Sequence, residues 1–363
     1  MNIVRIVSAA AAVIVATLQP SAPARSQVQS LSASQVDEVI DHLQAGLQNY
    51  VLPDIAAKLQ SAIREHRAQY RTLHDPAALA ERLTADLRAV GHDHHLQVVH
   101  GEELAMLREP TADEQQHAHA FDFASGYGVR SARRLPGNIG YVDLAYFSPD
   151  PDSGAAIAAL MQLVSGTDAL ILDLRRNGGG SGDTATALLS YFFEQPTQLS
   201  SIVEHVDGKV RERQKWTMPY TQGPRYTGKP VFILTSNHTH SAAELCAYDL
   251  KNSHRAILVG ERTSGDANSS SGMIDLGYGF STLVPNGQTR SPITNGNWEG
   301  TGVQPDVISA PAEALLTAYG RALSAAKGAV NSDELASERA AALKDPEAAL
   351  LQEIDGFPQA ASH

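Results

Sequence analysis

The chain has 363 residues, with 28 Lys and Arg against 40 Asp and Glu and a formal net charge of −12 at pH 7. The acidic balance, with no Lys/Arg-rich run, argues against a nucleic acid partner, and 43% hydrophobic with 19% charged residues excludes a disordered polymer. The single cysteine, Cys246, excludes internal disulfides, thiolate zinc sites and a Cys-x-x-Cys redox pair.

Residues 1–24 read as a secretory signal peptide. Arg5 supplies the positive n-region, Ile6 to Leu18 the apolar stretch, and Ala22-Pro23-Ala24 a small-residue cleavage site. The apolar run is shorter than the roughly 20 residues of a membrane helix, and no later segment reaches that length. The expected mature protein starts near Arg25 and is periplasmic or secreted, with no stable membrane insertion.

Residues 25–125 form an expected N-terminal helical domain. Val36, Val39, Ile40 and Leu43 recur at helix spacing, as do Leu79, Leu83 and Leu87. Pro53 and Pro76 mark helix starts. From 126 to 311 the texture becomes α/β. Ile139 to Phe147 alternates apolar and polar residues as a strand does, and Ala169 to Leu174 is a continuous apolar run suited to a buried strand. A helix is expected from about Asp183 to Phe193. Ile202–Val206 and Val210–Trp216 flank Asp207-Gly208, a hairpin signal. Val231–Thr235 and Ala256–Gly260 read as further buried strands, with a helix between them from about Ala242 to Lys251. Phe280–Val284 and Gln288–Ile293 flank Asn286-Gly287, a second hairpin signal. Residues 312–363 form a C-terminal segment, helical over its Ala/Leu/Glu-rich part.

Four stretches carry chemistry. In the first, Asp173-Leu174-Arg175-Arg176-Asn177-Gly178-Gly179-Gly180, a buried strand runs into polar residues and glycines before a helix. Glycines let backbone N–H groups approach a ligand, as an oxyanion hole requires. A nucleotide-phosphate loop is the rival reading, weakened by the lack of Gly-Lys-Ser/Thr. In the second, Ser241 opens a helix, beside free N–H groups and the positive dipole end. That position suits a nucleophile, but an N-cap whose capping box is closed by Glu244 is a sufficient reading of this motif alone and the favoured one. In the third, Gly91-His92-Asp93-His94-His95, the histidines lack i, i+4 ligand spacing, which leaves a general base or a solvated loop. In the fourth, Glu299 lies in the Gly-rich turn Asn297–Asp306, where a carboxylate could orient an imidazole or be a loop acid.

Together, in this order, the four stretches resemble the tail-specific protease superfamily, which includes the C-terminal processing proteases, the tricorn core protease and the interphotoreceptor retinoid-binding protein modules. Asn49-Tyr50-Val51 and Asp93-His94-His95-Leu96 are most similar to the retinoid-binding-protein-like branch. The resemblance implies a crotonase-like α/β core behind the helical domain, and a Ser-His-Glu mechanism. Ser241 matches the nucleophile, His95 the general base, and Glu299 the acid that supports it. Ala242 and one of Gly179 or Gly180 match the oxyanion donors, with Asp93, His94, Asp173, Arg175 and Asn177 in support. In the Ser-Lys branch a lysine stands where this chain has Asp266, so the dyad mechanism is not expected. Too few residues separate His95 from Leu135 for a PDZ domain, and His94 stands where the tricorn branch has a serine. The resemblance therefore implies an exported serine peptidase that acts on a peptide or protein substrate without metal or organic cofactor. The alternatives are a non-catalytic binding protein for hydrophobic ligands and a serine esterase.

Overall fold

The computed structural model describes residues 30–101, 111–206, 209–269, 272–327 and 332–355; the expected signal peptide lies outside them. The front of the chain is helical, as its periodicity predicts. Helix α1 (Ala33–Gly46) starts at a capping box in which Ser32 and Gln35 bond reciprocally. Helices α2 (Pro53–Glu65) and α4 (Pro76–Gly91) both begin on proline, with the short α3 (Arg67–Tyr70) between them. Strand β1 (Gln97–His100) and helix α5 (Ala112–Ala124) follow. The apolar stripe Val36, Val39, Ile40 and Leu43 is fully buried.

The core opens with β2 (Val129–Leu135), β3 (Ile139–Leu144), α6 (Ser153–Val164), β4 (Ala169–Asp173) and α7 (Gly182–Leu189). It continues with β5 (Gln198–Val206), β6 (Lys209–Trp216), β7 (Val231–Thr235), α8 (Ala242–Asn252) and β8 (Ile257–Gly260). Strands β9 (Asn268–Ser269), β10 (Met273–Gly277), β11 (Phe280–Leu283), β12 (Gly287–Arg290) and β13 (Val307–Ile308) come next. Helices α9 (Ala314–Ala325), α10 (Asp333–Lys344) and α11 (Pro346–Asp355) end the described chain.

The main sheet has six strands in the order β13-β8-β7-β4-β3-β2, parallel except for the β2–β3 pair. Successive residues feed opposite faces. Val142, Leu172, Ile233 and Leu258 join the core cluster under α6, α7 and α8. Tyr141, Ile171, Phe232 and Val259 join the cluster under α9 and its neighbours. The C-terminal helices are therefore the second cover of the sheet, not an appended tail. Covered on both faces, β3 is buried at every residue, despite the polar alternation of its sequence.

Two expectations need correction or extension. The strands β5 and β6 pair antiparallel as the first hairpin signal predicts, and its Asp207-Gly208 turn lies outside the described residues. The second hairpin does not form. Strand β11 pairs with β1 and β10, whereas β12 pairs with β5 and β9 in another sheet. A two-residue type I′ turn needs positive φ at both central residues, and neither Asn286 nor Gly287 is among the positive-φ positions. Gly287 serves close packing instead: a Cβ there would sit 2.6 Å from the Ser269 hydroxyl and 2.9 Å from Ile202. The front helices, for their part, do not close their own core. Leu276, Phe280 and Val284, from far along the chain, complete it.

Candidate active site

Three loops at the carboxyl ends of the parallel strands β4, β7 and β8 converge, the usual place for a site in such a sheet. After β4, the buried Asn177 is the fixing residue. Its Nδ2 donates to the Leu144 carbonyl at 2.9 Å, its Oδ1 accepts the Gly179 N–H at 2.9 Å, and its own carbonyl accepts the His240 N–H at 3.0 Å. Ser236 and Thr239, in the loop after β7, donate to the Arg175 and Leu174 carbonyls at 2.6 and 2.8 Å. The two loops are thus pinned to each other by backbone atoms. Gly179 (φ 92°) backs directly onto Ser241, where a Cβ would lie 2.8 Å from the serine Cβ. Only glycine allows that approach.

Because Asn177 occupies the Gly179 amide, the oxyanion assignment narrows. Among the described residues, no acceptor meets the N–H of Gly180 or of Ala242. Asp173 and Arg175 sit elsewhere. Arg175 grips Asp173 through Nε at 2.9 Å and Nη2 at 2.6 Å, Tyr141 donates to the same carboxylate at 2.8 Å, and Arg175 reaches the Pro311 carbonyl. This pair braces the loop against the C-terminal helices.

Ser241 has φ 49° and ψ −114°, a backbone region that side chains seldom occupy. It opens α8, and Glu244 closes the capping box by accepting the Ser241 N–H at 2.9 Å. Glu244 does more than cap. Fully buried, it also accepts from the Thr263 hydroxyl at 2.5 Å, the Ser264 hydroxyl at 3.1 Å, and the N–H groups of Gly265 and Asp266 at 2.8 and 2.9 Å. It welds the serine turn to the loop after β8. The Ser-x-x-Glu motif signalled the cap but not this weld.

The histidine loop arrives from the front helices and is held by carboxylates. Asp93, fully buried, accepts the Tyr50 hydroxyl at 3.0 Å, Asn268 Nδ2 at 3.0 Å and the His95 N–H at 2.9 Å. Its Oδ1 lies 3.5 Å from His95 Nδ1, a charge contact rather than a hydrogen bond. Glu299 accepts the N–H groups of Ala267 and Asn268, both at 2.7 Å. Asn268 therefore ties Asp93 to Glu299. His94 turns to another carboxylate: its Nδ1 is 3.1 Å from Asp266 Oδ1, while His240 Nδ1 is 2.6 Å from Asp266 Oδ2. The His94 and His95 rings are thus directed to different carboxylates, Asp266 and Asp93.

The electrostatics follow from this crowding. Burial pushes the Glu299 carboxyl up, the Asp93 charge adds to that, and the two N–H bonds only partly oppose it, so the group reaches about 7. Burial alone would lower the His95 imidazole. Asp93 beside it, with Asp266 and Glu299 further off, outweighs that and holds it above the ordinary value of 6.5. Asp93 stays below its ordinary range, because contacts with His95 and Asn268 overcome desolvation. Asp266 does so through Ser264 and His240.

A cavity of about 200 Å³ opens here, lined among others by Gly180, Ser241, Ala242, Asp266, Asn268 and Trp298. The serine, the residues of the candidate oxyanion amides and two residues that contact the His95 loop thus line one cavity, whereas His95 and Glu299 are not among its lining residues. In the sequence Glu244 reads as a cap alone, and neither Asn268 nor Asp266 belongs to a site motif. Asp266 drew notice only as the absence of a lysine, and Asn268 carries no motif.

Comparison with known proteins fits this arrangement. Residues 138–309 match the model of peptidase family S41, and residues 26–123 match that of the N-terminal domain of Peptidase_S41 in eukaryotic IRBP. The chain is 29% identical over 175 residues to the carboxyl-terminal-processing peptidase 1, chloroplastic, of Arabidopsis thaliana, covering 48% of this chain and 34% of that protein. It is 28% identical over 172 residues to the carboxyl-terminal-processing protease of Synechocystis sp., covering 47% and 38%. The matched segment thus spans little more than a third of these relatives. Among solved structures, the photosystem II D1 C-terminal processing protease aligns with TM-score 0.52 at 17% identity, covering 77% of this chain and 94% of that one. A lipoprotein from Streptococcus agalactiae aligns with TM-score 0.53 at 16% identity, covering 81% and 97%. At such identities the structural likeness is one of fold.

Proposed function

We propose that this chain, which belongs to peptidase family S41, is a serine-type peptidase that cleaves peptide bonds through an acyl-enzyme. We read its six-stranded sheet with helices on both faces as a crotonase-like core and, from residues 1–24, the protein as exported. Among the described residues, no helix is long and apolar enough to cross a membrane.

In this reading Ser241 attacks the peptide carbonyl, and His95 takes its proton and returns it to the leaving amine. The N–H groups of Ala242 and Gly180 hold the oxyanion. Asp93 and Glu299 together favour the imidazolium that forms on His95. A cation there is stabilised by charge, so the long Asp93–His95 contact is compatible with support without a short hydrogen bond. The observation that carries the reading is Ser241 itself: a serine held at positive φ on a helix start, with a glycine packed against its Cβ and, in the same cavity, the Gly180 and Ala242 amides, which meet no acceptor among the described residues.

The test is incubation with a serine-reactive fluorophosphonate and mass mapping of the labelled peptide. Label on Ser241, lost in Ser241→Ala, supports the hydrolase. A folded protein that takes no label argues for a binding module, and turnover of small acyl esters without any peptide cleavage argues for an esterase.

A further inference from the structure

The cavity beside Ser241 has a charged side that acyl transfer does not use. At about 200 Å³ it falls below the roughly 300–1,000 Å³ of small-molecule pockets, a size suited to one residue of a substrate. Ile202, Leu245 and Trp298 give it apolar lining, and two cations of β6, Arg213 and Lys215, also line it. Lys215 is the unusual one. Its side chain is only 15% exposed, yet its hydrogen-bond partner among the described residues is Asp183 Oδ1 at 2.7 Å, on a side chain 93% exposed. An ammonium has three N–H donors, so this half-buried one, whose single carboxylate partner among the described residues stands in water, keeps donors for another anion.

The surroundings favour that anion. Lys215 Nζ lies against the first residue of α7, where a Cβ on Gly182 would be 3.3 Å from it. The amides at that helix start add positive potential. Arg213, more exposed, is shared with Glu204 at 2.9 Å. The acidic member of the lining, Asp266, is already engaged by His240 and Ser264 and flanked by His94. The lining thus holds two cations to one carboxylate, although the chain as a whole carries −12.

We infer that Lys215 makes this cavity a carboxylate-accepting subsite, which takes a substrate residue ending either in an acidic side chain or in the chain's own C-terminal carboxylate. The inference takes its substrate class from the peptidase reading, but its test does not require turnover. In full-length Ser241→Ala protein, calorimetric titration compares three N-acetyl tripeptides that differ only at the last residue: glutamate amide, glutamine amide and glutamine free acid. At least one acid should bind about tenfold tighter than glutamine amide, as a charge-assisted hydrogen bond allows. Whichever acid gains identifies the source of the carboxylate. Lys215→Met should erase the difference, and Asp183→Asn, which removes the competing carboxylate, should enlarge it. Equal binding of all three peptides, no binding of either acid, or a preference that survives Lys215→Met overturns the inference. If Lys215→Met does not fold, as judged by its thermal melt, a preference that shrinks in Asp183→Asn overturns it instead. Failure of the peptidase reading would show separately, as wild-type protein that folds but takes no fluorophosphonate label at Ser241.

Discussion

The serine side of the site and the histidine side are built by different physics. The serine side, residues 173–181 and 236–244, hangs on strand ends, and backbone amides and carbonyls carry most of its bonds. Ser236 and Thr239 bind main-chain carbonyls of the neighbouring loop, and Asn177 binds the Leu144 carbonyl and the Gly179 N–H through its side chain and the His240 N–H through its own carbonyl. The histidine side, residues 93–95 with 266–268 and Glu299, is held by buried carboxylates whose charges act on one another. The bonds of the first frame join mostly groups that do not titrate, with the buried Glu244 and the Arg175–Asp173 pair as its charged members. A frame of coupled acids changes with pH, so in the proposed reading the position of Ser241 and the readiness of His95 can fail independently.

The sharpest way to break this contrast is Ser241→Ala. Turnover should fall by several orders of magnitude, while stability changes by only about 1 kcal/mol, as for a lost cap. A peptidase assay beside a thermal melt reads both, and retained wild-type activity would end the nucleophile assignment. On the other side, His95→Ala should cost roughly 10²–10⁴-fold, whereas His94→Ala, whose ring is 67% exposed on Asp266, should cost less than about tenfold. A reversed order would move the base to His94.

Gly179→Ala probes the backbone frame alone. Its Cβ would press on Ser241, and a displacement near 1 Å costs about 10²-fold. Gly178→Ala is the control, since nothing lies within 4 Å of a Cβ there, and its kcat/KM should match wild type. If both variants behave alike, the glycine contact is not what positions the serine.

The smallest effects are those of pH. With His95 as the proposed base, activity needs neutral imidazole, and His95 is held above 6.5, so kcat/KM should rise through a pKa above that value. Asp93→Asn should lower that pKa, since it removes the charge beside the ring. An unmoved profile would assign Asp93 a purely structural part. For stability, Glu299 titrates at about 7 in the fold against 4.5 ordinarily, so the fold binds its proton more tightly than the unfolded chain does. That stabilisation is whole below pH 4.5 and is lost as pH rises through 7. Melting temperatures of wild type and Glu299→Gln, compared from pH 4.5 to 8, should therefore diverge, with wild type losing ground by a few degrees as pH rises. Parallel curves would show Glu299 to be an ordinary solvated acid.

Much of the fold was legible because its signals are local. Periodicity marks the buried stripe of α1, prolines mark the starts of α2 and α4, and apolar runs mark β4, β7 and β8. The Asn286-Gly287 signal misled for the opposite reason. Whether those two residues turn a hairpin or pass between sheets depends on β1 and β5, which come from distant parts of the chain. Which of Gly179 and Gly180 keeps an amide without an acceptor among the described residues was similarly not legible in sequence, because it is Asn177 that takes the Gly179 N–H.

What the sequence determined by itself, then, is each segment's periodicity, its caps and the types of reactive residue at the strand ends, all of which follow from neighbours a few positions apart. Tertiary structure alone decided that Glu244 joins two loops, that Asn268 bridges Asp93 to Glu299, and that Lys215 lies beside the Ser241 cavity. Burial and Coulomb coupling depend on distance in space, and a sequence records only distance along the chain.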